Sequence, residues 1–237
     1  MNRLKSTKGL WFYRGDNMSK VVFMIDGWFM RKRIYELRLF RYTGPNIRDY
    51  CLKFLHEGDL LYRIFYYDTE PLRSKGHNPI TKQFIDFGQT AVARQQDALL
   101  ASLKETPFVA LRLGKTIWRN NGWLLRQEKL AALIGQRISA ADLSENDVRP
   151  HIEQKAVDMK IGLDIAQIAI KRLADLLIII TGDADLVPAL KLARREGMQV
   201  GLDCLECKVQ PDLREHVDFI ATKMGHYRGQ LFPGTAG

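Results

Sequence analysis

The sequence has few cysteines, no long apolar run and no signal-peptide pattern. Three cysteines in 237 residues cannot all pair with one another, and this number is typical of a reducing compartment. Apolar runs such as Leu176 to Ile180 are far too short to cross a bilayer, and residues 1–20 contain no uninterrupted apolar segment. We therefore expect a cytoplasmic protein with no membrane partner.

Several motifs that mark cofactor or metal sites are also missing. There is no Gly-x-Gly-x-x-Gly, no Walker loop and no Gly-x-Ser-x-Gly, so nothing local supports a nucleotide cofactor or a hydrolase nucleophile elbow. The single Cys-x-x-Cys, Cys204 to Cys207, supplies two of the four ligands of a closed zinc site. Cys51, His216 and His226 would have to complete it, so packed or incidental thiols are the favoured interpretation.

Negative charge is under-represented. Lysine and arginine number 36 against 27 aspartates and glutamates, which gives a formal net charge of +9. Basic surface concentrates phosphate and releases counterions on binding, so the excess favours a polyanionic partner, with solubilising charge as the alternative. The excess is clustered in a leading arm, residues 1–18, and in a basic stretch after the first apolar run that contains Arg31, Lys32, Arg33, Arg38 and Arg41.

Short apolar runs alternate with amphipathic stretches along the chain, which predicts an α/β fold with a central, mainly parallel sheet and helices on both faces. The predicted strands are 20–25, 60–67, 108–113, 176–180 and 198–202, with a hairpin over 117–125 that turns at Asn120-Asn121-Gly122. Helices are predicted from 27 to about 42, from 82 to 103 and from 154 to about 173. Another is predicted to follow the break at 43–46 and end at 55, and a last one to follow the turn at 181–183 and end at 196. We expect one domain over 19–222, with a hairpin and helical insertion near 115–150, and a tail over 223–237.

Carboxylates follow the apolar runs at several points. Asp26 ends the first strand, Asp183 and Asp185 follow the strand Leu176 to Ile180, and Asp158 lies in the first turn of the helix leading into that strand. Parallel strands end at one edge of a sheet, and the helix before a strand begins at that same edge. We therefore expect these four side chains to converge where such sheets bind ligands.

Several carboxylates in one crevice repel one another unless a counter-charge is present. Mg²⁺ or Mn²⁺ would supply that charge, and a hard cation held by oxygen ligands suits a phosphate-bearing substrate. Asp164 lies six residues beyond Asp158, roughly 9 Å along the helix axis and about 120° around it, so one ion does not take both. Asp164 is open to a second metal, a supporting contact or a solvated position. Taken singly, Asp26 also suits a turn, Asp183 or Asp185 suits the N-cap of the next helix, and Asp158 suits the helix dipole. A purely structural role for all four at one edge is the less favoured interpretation.

These segments resemble the three signature blocks of the NYN domain family, relatives of the PIN nucleases (LabA/DUF88-type). The blocks are Asp26-Gly27, Lys155 to Asp158 with Asp164 after it, and Thr181 to Pro188, in the right order within about residues 20–205. The resemblance implies a PIN-like α/β/α sandwich and metal-dependent cleavage of RNA. It also implies that Asp26, Asp158, Asp183 and Asp185 match the acidic positions of the family, with Asp164 a further match.

One position departs from the family pattern. The family usually has asparagine three residues after the first aspartate, where this chain has Phe29, preceded by Trp28. The missing amide favours, as an alternative, a nucleic-acid-binding or scaffold protein on a catalytically weakened NYN fold. Trp28 is a candidate for stacking on an unpaired base, and Lys155, Arg31 and Arg33 are candidates for phosphate contacts.

Single-stranded RNA is the favoured substrate, with DNA as a second candidate, and the sequence leaves a homo-oligomer open. Phosphotransfer folds with acidic strand ends fit less well. A haloacid-dehalogenase-type phosphatase would carry aspartate where Trp28 stands, and a Toprim domain would begin with glutamate rather than Asp26. The sequence therefore predicts a nuclease that depends on Mg²⁺ or Mn²⁺.

Overall fold

The structure is a computed structural model and describes residues 18–221. The predicted tail and all but the last residue of the predicted arm lie outside the described residues. The strands are β1 Lys20–Asp26, β2 Leu60–Thr69, β3 Lys75–His77, β4 Phe84–Asp86, β5 Val109–Leu125, β6 Val148–Lys155, β7 Leu176–Ile180, β8 Gln199–Asp203 and β9 Phe219–Ile220. The helices are α1 Gly27–Leu37, α2 Gly44–Leu52, α3 Ala91–Lys104, α4 Gln127–Ile134, α5 Val157–Ile170, α6 Val187–Arg195 and α7 Pro211–Glu215.

Seven strands form one sheet in the order β6-β5-β2-β1-β7-β8-β9. Every neighbouring pair is parallel except β5 and β6, which are antiparallel. β3 and β4 form a separate antiparallel pair. The predicted α/β fold with a mainly parallel central sheet is confirmed, and we call the edge at which β1, β2, β7 and β8 end the carboxyl edge.

β1 is apolar and buried from Val21 to Ile25, and β7 is apolar and buried throughout, so both faces of the sheet must be covered, and helices cover them. Alternate residues of a strand point to opposite faces, so Val22 and Met24 pack with α5 and α6, whereas Phe23 and Ile25 pack with α1, α2 and α3. None of the helices within residues 18–221 combines the length and apolar composition that crossing a membrane requires.

Several predicted helix boundaries are wrong. α1 ends at Leu37 rather than near residue 42, because Arg38 adopts a left-handed conformation (φ 50°) and its N–H bonds back to the last turn. α3 begins at Ala91 rather than at residue 82. Thr90 caps it, because its Oγ1 accepts a hydrogen bond from Ala93 N at 3.2 Å. α2 ends at Leu52 rather than residue 55, and α5 begins three residues late because residues 154 and 155 complete β6.

The hairpin predicted at Asn120-Asn121-Gly122 is also wrong. β5 runs through this segment with a large bulge. Trp118 pairs with Ile152 and Trp123 with Pro150, so residues 119–122 lie opposite His151 alone. Both asparagines have φ of 50°, a conformation that Asn adopts readily in bulges as well as in hairpin turns. The true partner strand is β6, which the sequence does not predict: it overlaps the predicted insertion only at 148–150 and the predicted helix at 154 and 155.

β5 extends well beyond the sheet. Its pairing with β2 stops at Gly114, opposite Thr69, and from Lys115 onward it pairs only with β6. We call the pair of segments Lys115–Leu125 and Val148–Lys155 the ribbon, and it projects from the carboxyl edge. Gly114 allows the close approach at its base, because a Cβ there would lie 2.4 Å from the Lys155 carbonyl oxygen.

Candidate functional site at the carboxyl edge

Two of the predicted acidic residues are held by the turns that follow β1 and β7. Asp26 Oδ1 accepts a hydrogen bond from Phe29 N at 3.0 Å and caps α1, and Asp183 Oδ1 accepts one from Asp185 N at 2.9 Å and caps a single 3₁₀ turn. Capping therefore occurs, as the alternative interpretation expected. It uses one oxygen of each carboxylate, and within residues 18–221 no donor is hydrogen-bonded to Oδ2 of either.

The four aspartates influence one another electrostatically. Burial raises the pKa of Asp26 to about 6, the bond from Phe29 N lowers it, and the charges of Asp158 and Asp183 add to the rise. The pKa of Asp158 is raised by burial and then by Asp183 and Asp185. The fold thus brings the four carboxylates into one electrostatic group at the carboxyl edge, with α5 contributing Asp158 from its first turn.

The carboxylates of this acidic group do not form a compact set of ligand atoms. Across the described part of the chain, the one trio of His, Cys, Asp or Glu whose ligand atoms all lie within 4.8 Å is Asp212, Glu215 and His216, around the short α7. The carboxyl-edge aspartates are more widely spaced than that trio. Their donor set still fits Mg²⁺ or Mn²⁺, because such cations take oxygen ligands and Mg²⁺ keeps several waters.

Asp164 is engaged elsewhere. Its Oδ2 accepts hydrogen bonds from the Tyr67 hydroxyl at 2.8 Å and from Arg112 Nε at 3.0 Å, which is also an ion pair. The Arg112 guanidinium in turn lies 4.9 Å from the centre of the Phe65 ring. Asp164 therefore links α5 to β2 and β5, and the structure does not bring it into the acidic group.

Sequence reasoning missed Asp68, which follows Tyr67 near the end of β2. It is buried, with Oδ2 accepting from Arg31 Nη1 at 2.8 Å and Oδ1 from Thr69 N at 2.8 Å. Its charge also contributes to the raised pKa of Asp26. The signal was available, because an apolar run followed at once by aspartate is the same pattern that marked Asp26.

Asp203 was missed in the same way at the end of β8. It is buried, and it accepts hydrogen bonds from the Tyr50 hydroxyl and, at 2.9 Å, from Leu205 N. Burial raises its pKa to about 6 against the lowering effect of these bonds. Because it points toward α2, it ties that helix to the sheet.

The predicted phosphate-binding residues differ in their accessibility. Arg31 is held by Asp68 and by the Gln96 side chain, and Arg33 bonds the Leu205 carbonyl oxygen at 3.0 and 3.2 Å and pairs with Glu36 at 2.6 Å. Lys155, by contrast, is exposed at the end of β6. Both arginines thus have partners within the protein, whereas the Lys155 side chain has no hydrogen bond and no ion pair within 4 Å among the described residues.

The two aromatic residues after Asp26 have different environments. Trp28 is 51% exposed, with Lys32 Nζ 5.3 Å from the centre of its ring. Phe29 packs against the turn before Asp183, so closely that a Cβ on Gly182 would lie 2.7 Å from its ring. Phe29, at the sequence position where the family pattern has asparagine, therefore packs against Gly182 beside the acidic group.

The cysteines form neither a disulfide nor a closed metal site within the described residues. Cys51 and Cys204 are buried thiols, Cys207 is half-buried, and no trio of close ligand atoms includes any of them. His226, considered above as a fourth zinc ligand, lies outside the described residues. Cys51 and Cys204 are therefore packed thiols.

Comparison with known proteins adds a family. A model of the NYN domain matches residues 84–220, more than half of the chain, including Asp158, Asp183 and Asp185. The match begins after Asp26, later than the resemblance over residues 20–205. No curated protein matches the chain. The crystal structure of a protein of unknown function from Vibrio parahaemolyticus aligns with TM-score 0.44 at 14% identity, over 88% of this chain and 94% of that chain.

Proposed function

Because the chain belongs to the NYN domain family of PIN-like nucleases, we propose that it is a divalent-metal-dependent nuclease that hydrolyses phosphodiester bonds in RNA. Single-stranded RNA is the favoured substrate. Asp26, Asp158, Asp183 and Asp185 are the proposed catalytic and metal-binding residues, and the metal is Mg²⁺ or Mn²⁺.

The observation that carries this proposal is the mutual effect of the carboxylates at the carboxyl edge. Burial and neighbouring carboxylates raise the pKa of Asp26 to about 6, so ionising the whole group is unfavourable without a counter-charge. Asp26 and Asp183 each keep an oxygen beyond the one that caps a turn. A bound cation would offset this repulsion.

The residues have separable roles in such a reaction. Asp26 and Asp183 would hold the cation, with Asp158 and Asp185 completing the acidic group. The cation would polarise the scissile phosphate and lower the pKa of the attacking water. Lys155 and Trp28 would position the strand, Lys155 by its charge on a phosphate and Trp28 by stacking on a base.

The decisive experiment is cleavage of labelled single-stranded and structured RNA by purified protein with Mg²⁺, Mn²⁺ or EDTA. We expect cleavage that requires the metal and falls by orders of magnitude in Asp183→Asn. Asparagine removes a ligand charge, yet its amide oxygen can still accept from Asp185 N, so folding should be preserved. Near-full Mn²⁺-dependent activity in a correctly folded Asp183→Asn protein would exclude Asp183 as a metal ligand.

A second candidate function follows from Phe29. It stands at the sequence position where the family pattern has asparagine, and its ring packs against Gly182, which favours a protein that binds RNA on the same edge without cutting it. DNA or RNA binding without metal-dependent turnover, in the assay above, would support this alternative over the nuclease.

A further inference from the structure

The ribbon rises from the same edge as the acidic group. β6 runs along β5 toward the sheet, ends at Lys155 and leads through Ala156 into α5, whose first turn contains Asp158. Val157 packs against Gly114, the residue of β5 just before the ribbon begins. A nucleic acid strand lying over the acidic group and running toward β5 would therefore meet the ribbon first at its base.

The two faces of the ribbon differ in composition. Directly paired residues of antiparallel strands project on the same face. One face carries Trp118, whose ring packs against Phe87 at 5.1 Å between centroids and closely over Gly76. The opposite face carries two directly paired sets, Lys115 with Lys155 and Ile117 with Glu153.

Lys115 and Lys155 are opposite each other with no carboxylate between them. Like charges in directly opposed positions of a sheet destabilise it. Neither lysine has an ion pair within 4 Å in residues 18–221. The nearest paired carboxylate on this face, Glu153, binds Arg119 Nη1 through both oxygens, at 2.9 and 3.1 Å, and the charge of Lys155 only adds to the lowering of its pKa. The pair therefore presents two positive charges to solvent at the base of the ribbon.

We propose that Lys115 and Lys155 form a phosphate clamp for the RNA strand, which positions the backbone relative to the acidic group. This inference rests on the function proposed above and extends it to a residue, Lys115, outside the acidic edge. Two cations at adjacent cross-strand positions match the repeated negative charge of a sugar–phosphate backbone, and such contacts set register without reading sequence. An anion bound between the lysines would also relieve their repulsion.

The test measures binding separately from cleavage. Fluorescently labelled single-stranded RNA is titrated in EDTA over a series of salt concentrations, with unmodified protein and with the double variant Lys115→Gln, Lys155→Gln. We expect weaker binding and a slope of log K against log salt that is shallower by about 0.7 for each phosphate that the variant no longer neutralises. The variant Lys115→Arg, Lys155→Arg should retain the affinity.

A matched control removes the same charge elsewhere. Lys20 is exposed at the start of β1 and Lys171 just after the end of α5, both at the opposite edge of the sheet, so Lys20→Gln with Lys171→Gln should leave the slope nearly unchanged. Thermal unfolding of the ribbon variant should show no decrease in stability, since a repulsive pair has been removed.

The outcomes separate the two proposals. RNA binding by the unmodified protein with no change in the ribbon variant, or an equal change in the control, would overturn the clamp and leave the nuclease intact. Absence of RNA binding by the unmodified protein at low salt in EDTA would overturn the clamp, and the cleavage assay with Mg²⁺ or Mn²⁺ decides the nuclease separately.

Discussion

Among single residues, Asp203 shows what burial does to a carboxylate that has no basic side chain beside it in residues 18–221. Its pKa of about 6 means that the folded protein binds this proton more tightly than the unfolded chain does. Lowering the pH from neutral therefore stabilises the fold through this residue, and the contribution is complete below the unfolded pKa. The Tyr50 hydroxyl and Leu205 N remain donors in either state.

We predict that Asp203→Asn will remove this pH dependence. From about pH 7 to about pH 4 the free energy of unfolding of the unmodified protein should rise relative to the variant, on the order of 2 kcal/mol. Urea unfolding of both proteins at the two pH values measures the difference. Asp49→Asn, an exposed change in the same helix as Tyr50, is the control, and equal pH profiles for all three proteins would contradict the prediction.

Asp158 and Asp164 lie on the same helix, but their substitution by asparagine should affect different properties of the protein. Asp158→Asn should lower the single-turnover rate and the Mn²⁺ affinity, because its charge belongs to the acidic group. Asp164→Asn should mainly lower stability, by about 1 kcal/mol, because it weakens bonds to Tyr67 and Arg112. The measurements are rates over a Mn²⁺ series and denaturant unfolding. An inactive Asp164→Asn beside a fully active Asp158→Asn would reverse the assignment.

At the scale of elements, the junction of β6 and α5 has a strained backbone. Ala156 has φ of 67°, a left-handed conformation that is unfavourable for any residue with a Cβ, and it caps α5 without a side-chain hydrogen bond. This junction places Asp158 beside the other carboxylates and Lys155 at the base of the ribbon. The strain thus falls between two proposed functional residues.

We predict that Ala156→Gly will stabilise the protein by about 1 kcal/mol, because glycine adopts this conformation without the clash. Denaturant unfolding checks it. Ala98→Gly, at a position inside α3, is the matched control and should destabilise by about 1 kcal/mol. Destabilisation by both changes would show that Ala156 is not strained.

Element boundaries were predictable where strands are buried on both faces. β7 was predicted without error, and β1 and β8 within a residue at each end, since an apolar run ends where the strand leaves the core. β6 could not be predicted, because in the ribbon one strand face is exposed and the residues that pair with β5 are separated from their partners by 23 (Leu125 and Val148) to 40 (Lys115 and Lys155) positions of the chain. The turn predicted at Asn120-Asn121-Gly122 was wrong for the same reason. These residues form a bulge in a strand whose partner, β6, comes from a distant part of the chain.

For the whole molecule, the net charge of +9 predicts how RNA binding responds to ionic strength. Affinity for single-stranded RNA should fall steeply with salt, by about 0.7 in log K per log unit for each phosphate contact. Removing residues 1–17 should make the dependence shallower, as should replacing Arg3, Lys5, Lys8 and Arg14 by Gln in the full chain. A flat affinity from low to physiological salt would show that the basic excess only solubilises the protein.

The amino-acid sequence by itself determined the fold class and the positions of the acidic residues along the chain. Continuous apolar strands must be covered on both faces, and a carboxylate is disfavoured inside such a strand, so Asp26 and Asp183 could stand only at or beyond the strand ends. Both consequences follow from local pattern and burial.

Only the tertiary structure decided which charges remain available. Asp164 pairs with Arg112, Asp68 with Arg31 and Asp203 with Tyr50, across 52, 37 and 153 positions of the chain. Lys115 and Lys155 are placed side by side by the register of β5 and β6. Solvation and pairing depend on neighbours that distant segments supply, and no local pattern records them.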